Sequence, residues 1–291
     1  MLVTHRPAAP LSAHVDSIWF LRRGALPHSR ERSLPTGRVD IVIPLLQDSV
    51  VRFERVDSVQ AIHLRGAVVS GVHDRFAVRG MGGASSVIGV HFKPGGAAAF
   101  FGGELRELRN RTVLLEALWG PGARDLRERL QSAPRLAHKL RIVEDALLSR
   151  LLSAPPADAM VERAVRLIER DPSAVRIEDA RRACECSPRQ FIARFDLAVG
   201  VTPKRYARVA RLRTLLPRIA RVGPRDWAQV AVDGGYFDQS HLIHEFRRLA
   251  GVTPAAYAPV HVDRPTHVPI VDSPPDVGMG KNVQYAGEKD N

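Results

Sequence analysis

The sequence predicts a two-domain α+β chain: a β-rich barrel with trailing helices over residues 1–155, then an all-α domain over 158–260. Three observations carry this expectation. Short β-branched and aromatic runs crowd the first ninety residues, two prolines interrupt the chain at 155–156, and a segment repeats at an offset of 51 residues. A chain of 291 residues has room for about two ordinary domains.

The elements follow in order. Asp40–Pro44, Ser49–Phe53, Ala61–Leu64, Arg75–Val78 and Ser86–Phe92 read as strands, separated by Gly, Pro, Asp and Ser. Many short strands with turn signals between them point to a barrel or sandwich. After Gly95-Gly96 the pattern becomes helical. Ala97–Phe101 is a short apolar segment, Ala123–Leu130 is a helix, and Leu136–Leu152 places Leu136, Leu140, Val143, Leu147 and Leu151 at helical spacing. On sequence grounds the last of these serves equally as core or as a dimer face. Ser153 to Pro156 stops it, because two prolines cannot continue a helix. Met160, Ala164, Leu167 and Ile168 mark the first helix of the second domain, which Asp171-Pro172 ends. Residues 261–291 are rich in Pro, Gly, Asp and Asn and lack periodicity, so a flexible tail is expected.

Composition excludes several classes. The balance of 45% apolar and 25% charged residues is that of a globular chain. No run of 18 apolar residues occurs, and the start lacks a basic cluster followed by an apolar stretch, so neither a membrane helix nor a secretory signal is expected and a cytoplasmic location is. The two cysteines, Cys184 and Cys186, lie too close together to staple a large fold. With no third cysteine, a metal or redox role lacks partners and packing is the expected role. The net charge of +12 suits a polyanionic partner. It divides into +8 over residues 1–157, +6 over 158–260 and −2 beyond, so charge alone selects neither domain.

The repeat is the most informative feature. Residues 186–209 align with 237–260, with nine of the 24 positions identical, among them Phe195 with Phe246 and Gly200-Val-Thr-Pro203 with Gly251-Val-Thr-Pro254. Each copy explains itself locally. Ser187 and Asp238 can cap a helix, since their side chains accept backbone N–H groups. Phe191, Phe195 and Ala198 share one face of the first helix, and Leu242, Phe246 and Leu249 share one face of the second. Gly200 and Gly251 stand where a helix ends at positive φ, and Thr-Pro opens the next. A shorter helix precedes each copy, Ile177–Cys184 and Asp226–Asp233, and a longer one, Pro203–Leu216, joins the units. Short helix, tight turn and second helix make a helix-turn-helix.

Residues 158–260 resemble the DNA-binding domain of the AraC/XylS transcriptional regulators, most closely along Gly235–Tyr257. Leu34–Ile43 and Val87–Gly102 are similar to the β-rich, cupin-like sensor region of one branch of these proteins. The resemblance implies a sequence-specific DNA-binding regulator, activation being the default sign, whose DNA affinity or polymerase contact is modulated through the N-terminal domain. Duplex DNA, RNA polymerase, a small-molecule effector and a second copy in a homodimer are the partners it implies. It implies no enzyme activity and no cofactor. Glu185 stands in the first turn, where the family often has Gly.

A helix in the major groove reads bases with the residues opposite its core stripe. These are Arg189, Gln190 and Ala193 in the first unit, and Gln239, Ser240, His241 and His244 in the second, with Glu245 also on the exposed set. Arg194, Lys204, Arg205, Arg247 and Arg248 are the expected phosphate contacts, which position without reading. Ile192 falls near a base-facing position, where a polar side chain would serve better. His63, His73 and His91 are scattered and no His-x-His occurs, so a cupin-type metal site is not expected. Gly80–Gly83 reads as a turn rather than a phosphate cradle. Two rivals remain at this stage: an enzyme whose N-terminal catalytic domain is targeted by the DNA module, and a ligand-independent DNA-binding protein.

Overall fold

The computed structural model describes residues 1–222 and 226–271. Eleven strands lie among these residues, in two antiparallel sheets. Six form one sheet in the order β1 (Leu2–His5), β2 (Val15–Arg23), β9 (Ser85–Phe92), β4 (Asp40–Pro44), β7 (Val68–Ser70) and β10 (Thr112–Leu114). Five form the other in the order β11 (His267–Ile270), β3 (Arg30–Ser33), β8 (Ala77–Gly80), β5 (Ser49–Phe53) and β6 (Ile62–Arg65). Strands β4 and β5 have the ends the sequence predicts, and β6, β8 and β9 shift by one or two residues. Strand β2 alternates buried and half-buried residues across Val15, Ser17, Ile18 and Phe20, and pairs with β9 along its length. Strand β3 has no sequence signal because three of its four residues, Arg30, Glu31 and Arg32, are charged; Glu31 is nonetheless fully buried.

The helices begin with α1 (Glu116–Trp119), α2 (Gly122–Ser132) and α3 (Leu136–Leu151), with Pro155 and Pro156 standing between α3 and α4 (Ala159–Arg170). Helix α3 is core on its Ile142, Val143 and Leu147 face. Helices α5 (Ile177–Ala183) and α6 (Pro188–Val199) form the first unit, and α8 (Trp227–Asp233) and α9 (Gln239–Ala250) the second, joined by α7 (Pro203–Val222). Helix α7 runs six residues beyond the expected Leu216, through Pro217. A proline removes one backbone hydrogen bond, but Leu212, Leu215, Leu216 and Ile219 are all buried, so packing carries the helix past it.

Two features depart from the sequence reading. The hydrophobic core is not divided at residues 153–157. One cluster runs from Ile18, Ile41 and Phe92 of the barrel through Leu126 and Leu147 to Val161, Phe191, Phe195 and Tyr206. Nor is the whole tail loose: β11 pairs antiparallel with β3, setting Val268 opposite Arg32 and Ile270 opposite Arg30, with both side chains buried. A four-residue strand containing proline shows little periodicity by itself, and its partner lies more than 230 residues earlier. Residues 272–291 of the expected tail lie outside the described residues.

Candidate nucleic-acid interface and sensor cavity

The second helices of the two units correspond in length and position. Helices α6 and α9 are both twelve residues long, offset by 51. Ser187 accepts from the Gln190 N–H, and the Gln190 side chain returns to the Ser187 N–H, closing a capping box. Asp238 accepts from the His241 N–H at 2.7 Å. Gly200 and Gly251 end the helices at φ 93° and 72°. The inner turns also correspond, Glu185 at φ 51° and Gly235 at φ 71°, the second turn being one residue longer. Thus the glutamate does take the conformation that favours glycine. Nearby Cys184 and Cys186 pack against the core, and burial raises the Cys184 thiol above its ordinary value.

On the outer faces, Arg189, Gln190, Ala193, Arg194, Gln239, Ser240, His241, His244, Arg247 and Arg248 are exposed, as are Lys204 and Arg205 at the start of α7. Their side chains are not equally free. Gln190 is held in the capping box. Arg194 grips Asp158 with two hydrogen bonds of 2.7 and 2.9 Å, and Arg205 pairs with Asp74 of the barrel domain at 3.0 Å. Arg248 pairs with Glu245 at 3.3 Å, and the His241 ring accepts from the Phe237 N–H. Among the described residues, Arg189, Gln239, Ser240, His244, Lys204 and Arg247 have no side-chain partner.

Glu245 corrects the sequence reading: it is buried between Arg208 and Arg248, not exposed. The sequence reading also passed over Phe237. It is 89% exposed at the mouth of α9, one residue before the cap, and an apolar residue so placed beside polar neighbours was the available signal. Ile192 is likewise exposed on α6.

The barrel domain grips the far end of each unit. Arg109 donates to the Gly200 carbonyl at 3.0 Å and pairs with Asp196, and a Cβ on Gly200 would stand 2.9 Å from the Leu105 carbonyl. A Cβ on Gly251 would stand 2.4 Å from the Phe76 ring. Arg213 of α7 donates to the Thr36 carbonyl at 3.0 Å and pairs with Glu169, which also accepts from the Tyr206 hydroxyl at 2.6 Å. The barrel domain therefore touches both helix-ending glycines and the connecting helix.

Between the sheets lies a cavity of about 630 Å³. Leu2, Trp19, Leu21, Val42 and Val87 line one part, and Arg23, Asp40, His63, Arg79 and His91 another. Residues Asp263 to His267, beyond the second unit, close it. Its acids are occupied. Asp40 bonds His91 at 2.7 Å, and Glu31, beside the cavity, bonds His28 at 2.7 Å and His267 at 2.9 Å. Burial acts to raise the Glu31 carboxyl, but hydrogen bonds from His267 and His28 outweigh it and hold the group at about 2. Burial, reinforced by Arg52 and Arg79, pushes the His73 imidazole down to about 3.

Residues 180–259 match a helix-turn-helix domain family, and residues 3–114 match a domain family of unknown function (DUF6597). No curated protein matches the chain. Among solved structures the chain is similar to ToxT from Vibrio cholerae, at 13% identity, covering 82% of this chain and 96% of that one with a TM-score of 0.44. It is similar also to ToxT with bound unsaturated fatty acid, at 13% identity, 82% and 94% coverage and a TM-score of 0.43. The complex of ToxT with (E)-4-(8-methylnaphthalen-1-yl)but-3-enoic acid gives 10% identity, 84% and 97% coverage and a TM-score of 0.44. The duplicated capped units, the helix that joins them and the helix-turn-helix match over 180–259 make this chain a DNA-binding transcriptional regulator of the helix-turn-helix type.

Proposed function

We propose that α6 and α9 enter neighbouring major-groove segments of one duplex and read it unequally. The observation that supports this most is the equal length of the two helices, each opened by a side-chain cap, closed by a left-handed glycine and carrying an exposed polar face. Gln239 and Arg189 are the strongest base readers, because glutamine matches adenine and arginine matches guanine in the major groove and neither side chain is engaged elsewhere. Ser240, His241 and His244 complete the second face, with Phe237 available for a thymine methyl. In the first unit Gln190 acts as a cap before it acts as a reader, and Ala193 and Ile192 offer only apolar contact. Lys204, Arg247 and Arg248 hold phosphates. Arg194 and Arg205 must exchange Asp158 and Asp74 for DNA if they are to do the same.

The N-terminal domain acts on this interface as a sensor. A small molecule in the barrel cavity would favour one arrangement of the contacts at Gly200, Gly251 and Arg213, and DNA affinity or polymerase contact would follow by linkage. Activation is the expected sign, and a homodimer the expected working form. Selection of bound duplexes from a random pool tests the reading. A site with two conserved segments about one helical turn apart supports it; uniform retention of all sequences rejects it.

A further inference from the structure

Phe237 is the one aromatic among the exposed large apolar side chains of the described residues, and its ring stands almost wholly in water. Its backbone is nonetheless pinned from both sides. Gly235, two residues earlier, turns at φ 71°, and a Cβ there would collide with the Ser173 carbonyl. Tyr236 is buried and meets the His241 ring edge-on, with centroids 5.5 Å apart. Asp238, the next residue, caps α9 through the His241 N–H. A fixed backbone that leaves a phenyl ring in water forgoes the burial that favours such a side chain. The ring stands at the N-terminal end of α9, the end of a recognition helix that meets base edges. The Phe237 N–H donates to Nδ1 of His241 at 3.2 Å. That bond fixes the tautomer: Nδ1 accepts, so the neutral ring carries its proton on Nε2. The His241 side chain is exposed, and among the described residues its Nε2 has no partner. One exposed apolar ring and one free donor therefore stand side by side where α9 begins.

We infer that Phe237 and His241 together read one thymine, the phenyl ring covering its C5 methyl and the imidazole Nε2–H donating to its O4. The inference deepens the reading of α9 as a groove-entering helix and rests on it. In the major groove thymine presents an acceptor, O4, beside a methyl group. Cytosine puts a donating amino group in place of O4 and has no methyl. Guanine presents two acceptors and no methyl, and adenine sets an amino donor beside its acceptor. A donor next to an apolar surface thus suits thymine against the other three bases. The first unit has no such pair. Cys186 stands at the position aligned with Phe237, and Gln190, aligned with His241, is held in its capping box. The thymine preference therefore belongs to the second segment of the site alone.

The test uses the full chain and the duplex recovered by selection. Within the segment that Gln239→Ala relaxes, each thymine is replaced in turn by deoxyuridine, which lacks only the methyl, and binding is read by fluorescence anisotropy. At one position deoxyuridine should weaken the parent chain about fourfold, as expected for one methyl removed from apolar contact. Phe237→Ala should bind thymine and deoxyuridine alike at that position, and Phe237→Leu should keep part of the difference. Cytosine there should weaken the parent more than deoxyuridine does. 5-Methylcytosine should recover only the methyl's share, because its amino group still opposes the Nε2–H. Phe237 is exposed, so both variants should melt with the parent. A segment without a preferred thymine, no position sensitive to deoxyuridine, or a sensitivity that Phe237→Ala leaves intact would each overturn the inference. 5-Methylcytosine bound as tightly as thymine would overturn the role of His241. A recovered site without this dependence rejects only the thymine contact, whereas uniform retention of all sequences rejects groove reading and the inference with it.

Discussion

The strand that returns from the DNA-binding end to the barrel can be tested by removing its two buried anchors. Val268 and Ile270 are 3% and 6% exposed, on the same face of β11. Val268→Ala removes two methyl-sized groups, about 1.6 kcal/mol at roughly 0.8 kcal/mol per buried carbon. Ile270→Ala lies in the range of about 2–5 kcal/mol for large-to-small core changes. Because the residues are neighbours, their effects need not add, and about 4–5 kcal/mol is a fair figure for the pair. At roughly 2–4 °C per kcal/mol, the double variant should melt about 10 °C lower or more. If β11 instead detaches before the rest unfolds, amide protection over residues 267–270 should collapse while the main transition stays. Scanning calorimetry and hydrogen exchange read these two outcomes. A double variant with both the melting temperature and the protection of the parent would refute the docking of the tail.

Other expectations follow from single positions. Glu185→Gly should stabilise the chain by about 1 kcal/mol in urea unfolding, because φ at this residue is 51° and glycine adopts that conformation freely. Gly251→Ala combines a positive φ with a Cβ 2.4 Å from the Phe76 ring; it should destabilise by about 1–3 kcal/mol, and Phe76→Ala in the same chain should recover part of the loss. Acid should act in two stages. His73 stays neutral when folded and titrates near 3, whereas the unfolded chain binds that proton near 6.5, so stability falls as pH drops below 6.5, by about 2–3 kcal/mol at pH 4.5. Glu31, held at about 2, contributes stability above its ordinary 4.5 that is lost between 4.5 and 2, in total about 3 kcal/mol. Melting temperatures should fall through this window, and His73→Gln should flatten the first stage. Arg247→Ala should weaken every duplex alike and reduce the slope of log K against log salt by about one.

The second domain is legible in the sequence because its signals are local. Caps at Ser187 and Asp238, terminating glycines at 200 and 251, and an apolar stripe every three or four residues set element type and length without knowledge of partners. Strands β4, β5 and β9 are legible for a similar reason, being dense in valine and isoleucine. What escapes depends on contacts distant in sequence. Strand β3 is charged because Glu31 is matched by His28 and His267, the latter 236 residues away. Strand β11 is set by an edge of the barrel, and the burial of Glu245 by Arg208 on another helix. The faces of α6 and α9 could be read from helical spacing, but not which of their side chains other groups already hold. The ion pairs of Arg194 with Asp158 and of Arg205 with Asp74 arise only when the elements assemble.

The most direct test of paired reading is to repeat the duplex selection with Arg189→Ala and with Gln239→Ala. Each substitution should relax preference at a different segment of the site, by roughly 1–3 kcal/mol per lost base contact, with the other segment unchanged. Relaxation of the same segment by both, or of neither, would contradict recognition by two separate helices.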